Sequence, residues 1–232
     1  MELSSLYIPT DSFIFWKYLH IMMFVGWVGA DMSVFLSARK STDASLPFDT
    51  RMMLLHMALR IELIPRTMWK AALPLGVMLS RDMGLLNISD LQLALVWVFS
   101  IFWWGVSMTG AIYYDKEWGR KCAHFANFLI FAVGVGLIYA AISSAMGNGP
   151  FEQTGTWLLW KVGLYGLINL TCLAIVVAYD PMGPAFGQLA VEGSTPEIEG
   201  LITRTFNIAV LPIWSTYFLV ITVAFIATTK FL

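Results

Sequence analysis

The sequence predicts an all-α membrane protein, a polytopic bundle of about six transmembrane helices that forms one domain over residues 1–232. Hydrophobic residues make up 58% of the chain and charged residues 12%, whereas a typical soluble domain is about 45–50% apolar and about 25% charged. The mean hydropathy is +0.72. Ten Trp, eight Tyr and sixteen Phe suit aromatic belts at the two membrane interfaces. The net charge of -1 excludes the basic surface of a nucleic-acid-binding protein, so the expected environment is a lipid bilayer.

Six apolar stretches have the roughly 20 residues that a spanning helix needs. They cover residues 13–37, 52–79, 91–113, 122–145, 157–179 and 206–229. Proline within a helix removes a backbone donor and crowds the preceding turn. Kinks are therefore predicted at Pro65, Pro74 and Pro212.

The segments between the spans contain cap and turn residues in the expected places. Ser89 can cap the third span, residues 146–150 form a Gly-rich loop, and residues 180–184 end the fifth span. Thr195 precedes Pro196, which is the order of an N-cap and a first-turn proline. We therefore expect a helix to begin there and to continue into the last span.

The distribution of Lys and Arg predicts the orientation. Cytoplasmic loops of membrane proteins carry the excess of these residues. The richer side then faces the cytoplasm, which places the chain as a multi-pass protein of a bacterial-type inner membrane with both termini in the periplasm. The richer side has Arg39, Lys40, Arg51, Lys116, Arg120, Lys121 and Arg204, and the other side has Lys17, Arg81, Lys161 and Lys230.

Small residues recur at four-residue spacing along two spans, which is typical of closely packed membrane helices. In the fourth span they are Ala132, Gly136, Ala140 and Ser144, and in the first they include Gly26 and Ala30. Cys122 and Cys172 form no motif and are interpreted as small apolar fillers.

Polar residues are concentrated in the first two spans, where ionisable groups are costly and tend to face one another or a cavity. In the first span, His20, Trp27 and Asp31 fall within about 40° on one helix face, given 100° per residue. These three residues are candidate binding residues.

The second span carries five further polar candidates, His56, Arg60, Glu62, Arg66 and Lys70. Glu62, Arg66 and Lys70 are spaced by four residues, so a salt-bridged ladder is available. Antiparallel packing of the two spans would create a buried, net-cationic seam that suits an anion such as a porphyrin propionate or a carboxylate substrate. The alternative is that His56 and Arg60 lie at the interface and that Arg66 and Lys70 are structural partners of Glu62 and of a carbonyl.

The three histidines also have two interpretations each. His20, beside Trp16, either forms an interfacial hydrogen bond or is an axial ligand of haem iron. His124 either snorkels at the inner interface or, with His56, forms a separate metal-binding pair.

The first span contains Leu19-His20-Ile21 and then Trp27-Val28-Gly29, an H-x6-W-x-G pattern. This pattern resembles the opening helix of two related bacterial families, the copper-resistance protein D family and the J-type membrane protoporphyrinogen oxidases. Residues 60–76 are similar to the charged start and glycine-terminated apolar stretch of their second helix. The resemblance covers the first two spans and implies that His20 binds haem iron and that the basic residues of the second span face the porphyrin. The third span departs from the oxidases because it has no histidine.

Three functions are consistent with these patterns. The first is a haem-b-binding membrane oxidoreductase that transfers electrons or oxidises a porphyrin or quinone. The second is a small-anion or metal permease that uses the Glu62–Arg66–Lys70 ladder. The third is a structural subunit of a homo-oligomer or of a larger membrane complex.

Overall fold

The computed structural model describes residues 12–151 and 155–230. These residues form eight α-helices and no strand, so the predicted all-α bundle is confirmed. The helices are α1 (Ser12–Ser41), α2 (Phe48–Ile61), α3 (Leu63–Asp82), α4 (Asp90–Ile112), α5 (Glu117–Ala145), α6 (Thr156–Tyr179), α7 (Met182–Glu192) and α8 (Pro196–Thr229).

Five helical segments of the described chain are long and apolar enough to cross a membrane. They are α1, α4, α5, the α6–α7 segment Thr156–Glu192, and α8. The chain is therefore an integral membrane protein by the length and composition of its helices. The predicted second span is not among the five, because its charged residues lower its hydropathy.

The second predicted span, residues 52–79, is not one helix but two. Helix α2 ends at Ile61 and α3 begins at Leu63, with Glu62 as the shared cap residue. Pro65 has no N–H to donate to the carbonyl of Ile61, and its ring crowds that carbonyl, which weakens the helix at the turn where α2 ends and α3 begins. At Pro74 and Pro212 the helices α3 and α8 continue without a break.

Helices α2 and α3 together run back along α1, since both pack against it. The early part of α1 and the late part of α3 line one cavity, which shows that the pair extends to the far end of α1. Helix α4 packs between α3 and α5, and α6 packs between α5 and α8. The α2–α3 pair thus traverses the same thickness as the five apolar segments.

Both predicted N-caps are confirmed. Ser89 accepts a hydrogen bond from the backbone of Gln92, whose side chain bonds back to Ser89 in a capping box. Thr195 accepts from the backbone of Ile198 and starts α8, which continues through the last predicted span. Residues 180–184 end α6 as expected, but they lead directly into the short helix α7, which the sequence analysis did not predict.

The close contact between α5 and α6 is made by Gly134 and Gly166, not by the predicted stripe of small residues. A Cβ added to Gly166 would lie 2.6 Å from the carbonyl oxygen of Gly134. Ala132 and Gly136, two members of the predicted stripe, are exposed, and a Cβ on Gly136 would meet nothing within 4 Å. The four-residue spacing was therefore assigned to the wrong face of α5.

An ion pair ties α2 to α8 at the end of the bundle where α1 finishes. The guanidinium of Arg51 donates to both carboxylate oxygens of Glu199, at 2.7 and 2.9 Å, and its Nε donates to the carbonyl of Ser41 at 2.9 Å. The same guanidinium lies 5.4 Å from the ring centroid of Phe186 on α7. Nearby, Tyr114 donates to Asp180 at 2.7 Å, which raises the pKa of that phenol.

Candidate functional site

A cavity of about 410 Å3 opens between α1, α3, α6 and α8, toward the end of the bundle where α1 begins and α8 finishes. Its size lies within the range of roughly 300–1,000 Å3 that small-molecule sites occupy. The walls are mainly aliphatic and aromatic. The lining residues that matter here are His20, Trp27, Gly76, Lys161, Tyr165 and Val220.

His20 is the imidazole of this cavity. Its Nδ1 is buried and has no hydrogen-bond partner in the described part of the chain. Gly76 on α3 faces the ring, and a Cβ added there would lie 3.8 Å from its Cε1. A glycine at this place leaves room beside the imidazole, so the ring can meet a ligand in the cavity.

Lys161 on α6 lines the same cavity and is the charged group that sequence analysis missed. Its ammonium is close enough to His20 to interact with it electrostatically. Within residues 12–151 and 155–230 it forms no ion pair. In the sequence, Lys161 enters only the distribution of Lys and Arg between the two sides of the membrane, and it is not predicted as a binding residue. Its position inside the predicted span 157–179 is the signal that could have identified it.

An aromatic layer closes the inner end of the cavity. Trp27, which lines the cavity, stacks on Trp69 with 6.5 Å between the ring centroids. Tyr165, also a lining residue, donates its hydroxyl to the carbonyl oxygen of Trp69 at 2.9 Å. Trp69 does not line the cavity itself, and a second polar region lies on its other contacts, around Lys70.

The second region, called the buried charge cluster here, consists of Asp31, Glu62, Arg66 and Lys70. Lys70 is buried and the other three are half-buried. Arg66 forms the predicted ion pair with Glu62, at 2.8 Å, and also donates to Ser107 of α4 at 3.2 Å. Asp31 lies near Glu62 and near the hydroxyl of Tyr217 on α8, without a well-aligned hydrogen bond to that hydroxyl. Charges from α1 and α3 are thus brought together as the antiparallel packing predicts.

Lys70 does not extend the Glu62–Arg66 pair into a three-residue ladder. Its side chain is 1% exposed, and its Nζ has no hydrogen-bond partner in the described chain. The ammonium instead lies 4.1 Å from the ring centroid of Trp69 and 5.3 Å from that of Trp103. It is therefore held by aromatic faces.

The predicted seam is divided into two places. His20 and Trp27 line the cavity, whereas Asp31, Arg66 and Lys70 lie in the buried charge cluster. His56 and Arg60 lie on α2 and His124 lies on α5, all three exposed and away from the cavity lining. In the described ranges, no group of three or more His, Cys, Asp or Glu side chains is placed to hold a metal ion. Cys122 and Cys172 are free thiols there.

Comparisons of the chain with protein-family models, with curated proteins and with solved structures find no match. The class that the fold and composition define is a multi-pass α-helical membrane protein with an apolar cavity among its helices.

Proposed function

We propose that this protein is a membrane redox protein that binds haem b or a quinone in the cavity beside His20. One observation supports the proposal above all others. Among residues 12–151 and 155–230, the imidazole of His20 has a buried nitrogen without a hydrogen-bond partner and Lys161 has no ion-pair partner, and both side chains line one apolar cavity. Such a cavity suits an apolar ring compound with a polar or anionic end.

Each ligand would use the same two side chains differently. For haem, His20 would hold the iron, and Lys161 would bind a propionate by a charge-assisted hydrogen bond. For a quinone, the imidazole and the ammonium are the donors to its carbonyl oxygens. The bound group would supply the electron chemistry, while the chain provides orientation and a water-poor environment.

If the ligand is haem, His20 would be the histidine that binds its iron, without a second histidine. Of the three histidines in the chain, His20 lines the cavity, and His56 and His124 are exposed on other helices. Met23 also lines the cavity, but it lies three residues after His20 on the same helix face. It is therefore not placed to bind iron on the side opposite His20.

The test is the absorption spectrum and the solvent-extractable content of the full chain purified in mild detergent. We expect either a Soret band or a co-purifying quinone, and we expect His20→Ala to remove it. Lys161→Met should weaken retention of the ligand by roughly tenfold, as expected for loss of a hydrogen bond to a charged group.

His124→Ala is the matched control, because that imidazole is exposed and outside the cavity. It should leave the bound ligand unchanged. Protein expressed with haem and quinone in excess that carries neither compound would refute the proposal. Retention of the full ligand content in His20→Ala would refute the role of His20.

A further inference from the structure

Three buried hydrogen-bond donors without an acceptor belong to Lys70 and to the two tryptophans whose rings its ammonium contacts. They are Lys70 Nζ, Trp69 Nε1 and Trp103 Nε1, and none has a partner in the part of the chain that the structure describes. The two indole rings are 5.9 Å apart, and the ammonium lies against both. A buried donor is normally paired with an acceptor, so three unpaired donors in one place need an explanation.

The nearby carboxylates are engaged elsewhere. Glu62 is paired with Arg66 through both of its oxygens. Asp31 interacts with Glu62 and Tyr217, and Cys172 of α6 is close enough to both Asp31 and Lys70 to interact electrostatically with each. Ser107 of α4 accepts from Arg66. After these pairings, no oxygen of the described chain lies at hydrogen-bond distance from the Nζ of Lys70.

We infer that the donors around Lys70 form a binding site for a small monovalent anion of halide size. An anion would accept from the ammonium and from indole N–H groups, and it would neutralise a buried ammonium that has no carboxylate partner in the described chain. The donors are closed off from bulk solvent, because Lys70 is 1% exposed and Trp103 is 0% exposed. This inference does not depend on the ligand of the cavity, because Lys70, Trp69 and Trp103 are not among the residues that line it.

The test uses bromide and iodide as probes, because heavy halides in contact with an indole quench its fluorescence. The detergent-solubilised full chain is titrated with each halide at constant ionic strength, with gluconate as the replacement anion. We expect a saturable component of quenching, added to the linear quenching of exposed tryptophans. Lys70→Met should abolish the saturable component.

Trp103→Phe provides a second variant in case Lys70→Met does not fold. It keeps an aromatic face beside the ammonium but removes one N–H, so halide affinity should fall roughly tenfold. Lys121→Met is the control, since that lysine is exposed, and it should leave the titration unchanged. His20→Ala should also leave it unchanged, which separates this site from the cavity.

Two results would overturn the inference. One is strictly linear quenching in the unmodified protein, which would mean that water and aromatic faces alone surround Lys70. The other is a saturable component that persists at full affinity in both Lys70→Met and Trp103→Phe, which would place the halide elsewhere.

Discussion

At the residue scale, the buried cations of this protein are satisfied in two different ways. Arg51 is 2% exposed and uses its planar guanidinium for two bonds to Glu199 and one to Ser41. Lys70 is as deeply buried but meets ring faces instead of oxygens. The forked donor geometry of arginine suits a structural lock, whereas a lysine ammonium with free donors suits a ligand site.

Arg51→Met is expected to destabilise the fold strongly. It leaves the carboxylate of Glu199, whose side chain is 16% exposed, without its partner. Removal of one member of a buried pair costs about 3–5 kcal/mol. Thermal unfolding in detergent, followed by circular dichroism, measures the effect. In Lys121→Met, which breaks the exposed pair with Glu117, the midpoint should barely move. Equal midpoints for both variants would show that the Arg51–Glu199 pair is not a structural lock.

The histidine candidates show what a residue pattern can predict. The shared face of His20 and Trp27 follows from helix geometry, and the structure places both at one cavity. Lys161 was missed because it comes from a helix distant in sequence, and its approach to His20 depends on how α6 packs against the rest of the bundle. Periodicity within one helix carries no information about that arrangement.

At the element scale, the contact between α5 and α6 depends on two glycines. Gly134 and Gly166 allow the two backbones to approach until no Cβ fits between them. Gly134 lies outside the row of small residues on α5, because its neighbours at four-residue spacing are Ile130 and Ile138, so that spacing alone does not identify the contact. Burial separates the two glycines of α5, because Gly134 is buried and Gly136 is exposed.

Gly166→Ala should therefore separate α5 from α6 locally. The added methyl would lie 2.6 Å from a backbone oxygen that cannot move independently, and such overpacking costs about 1–3 kcal/mol. Gly136→Ala adds the same methyl to the other face of α5, where space is open. We expect a lower unfolding midpoint for the first variant and no loss for the second. Similar midpoints in the two variants would contradict the assigned contact.

At the scale of the whole molecule, hydropathy identified the apolar segments but not the division at Glu62. Five segments are apolar enough to be recognised by composition. The α2–α3 pair traverses the bundle with Arg66 and Lys70 of α3 turned toward residues of α4, so its role depends on its neighbours and not on its own hydropathy. Helix α7 was missed for a related reason, since its short apolar face is buried against α8.

Labelling of single cysteines tests the crossing by α2–α3 and the predicted orientation. In a Cys122→Ala background, Ser45→Cys lies between α1 and α2, Asn87→Cys between α3 and α4, and Asn148→Cys after α5. A membrane-impermeant maleimide added to intact cells should label the last two and not the first. Labelling of Ser45→Cys alone would reverse the orientation. Equal labelling of Ser45→Cys and Asn87→Cys would refute the crossing.

The charges of α3 also impose an order on insertion. Arg66 and Lys70 on an isolated α3 would face hydrocarbon, where each charge is strongly unfavourable. They become tolerable when α1 supplies Trp27 and Asp31, and α4 supplies Trp103 and Ser107. During biogenesis, α3 should therefore remain in an aqueous or protein-lined environment until α4 has been synthesised. The first four helices would then enter the lipid as one unit.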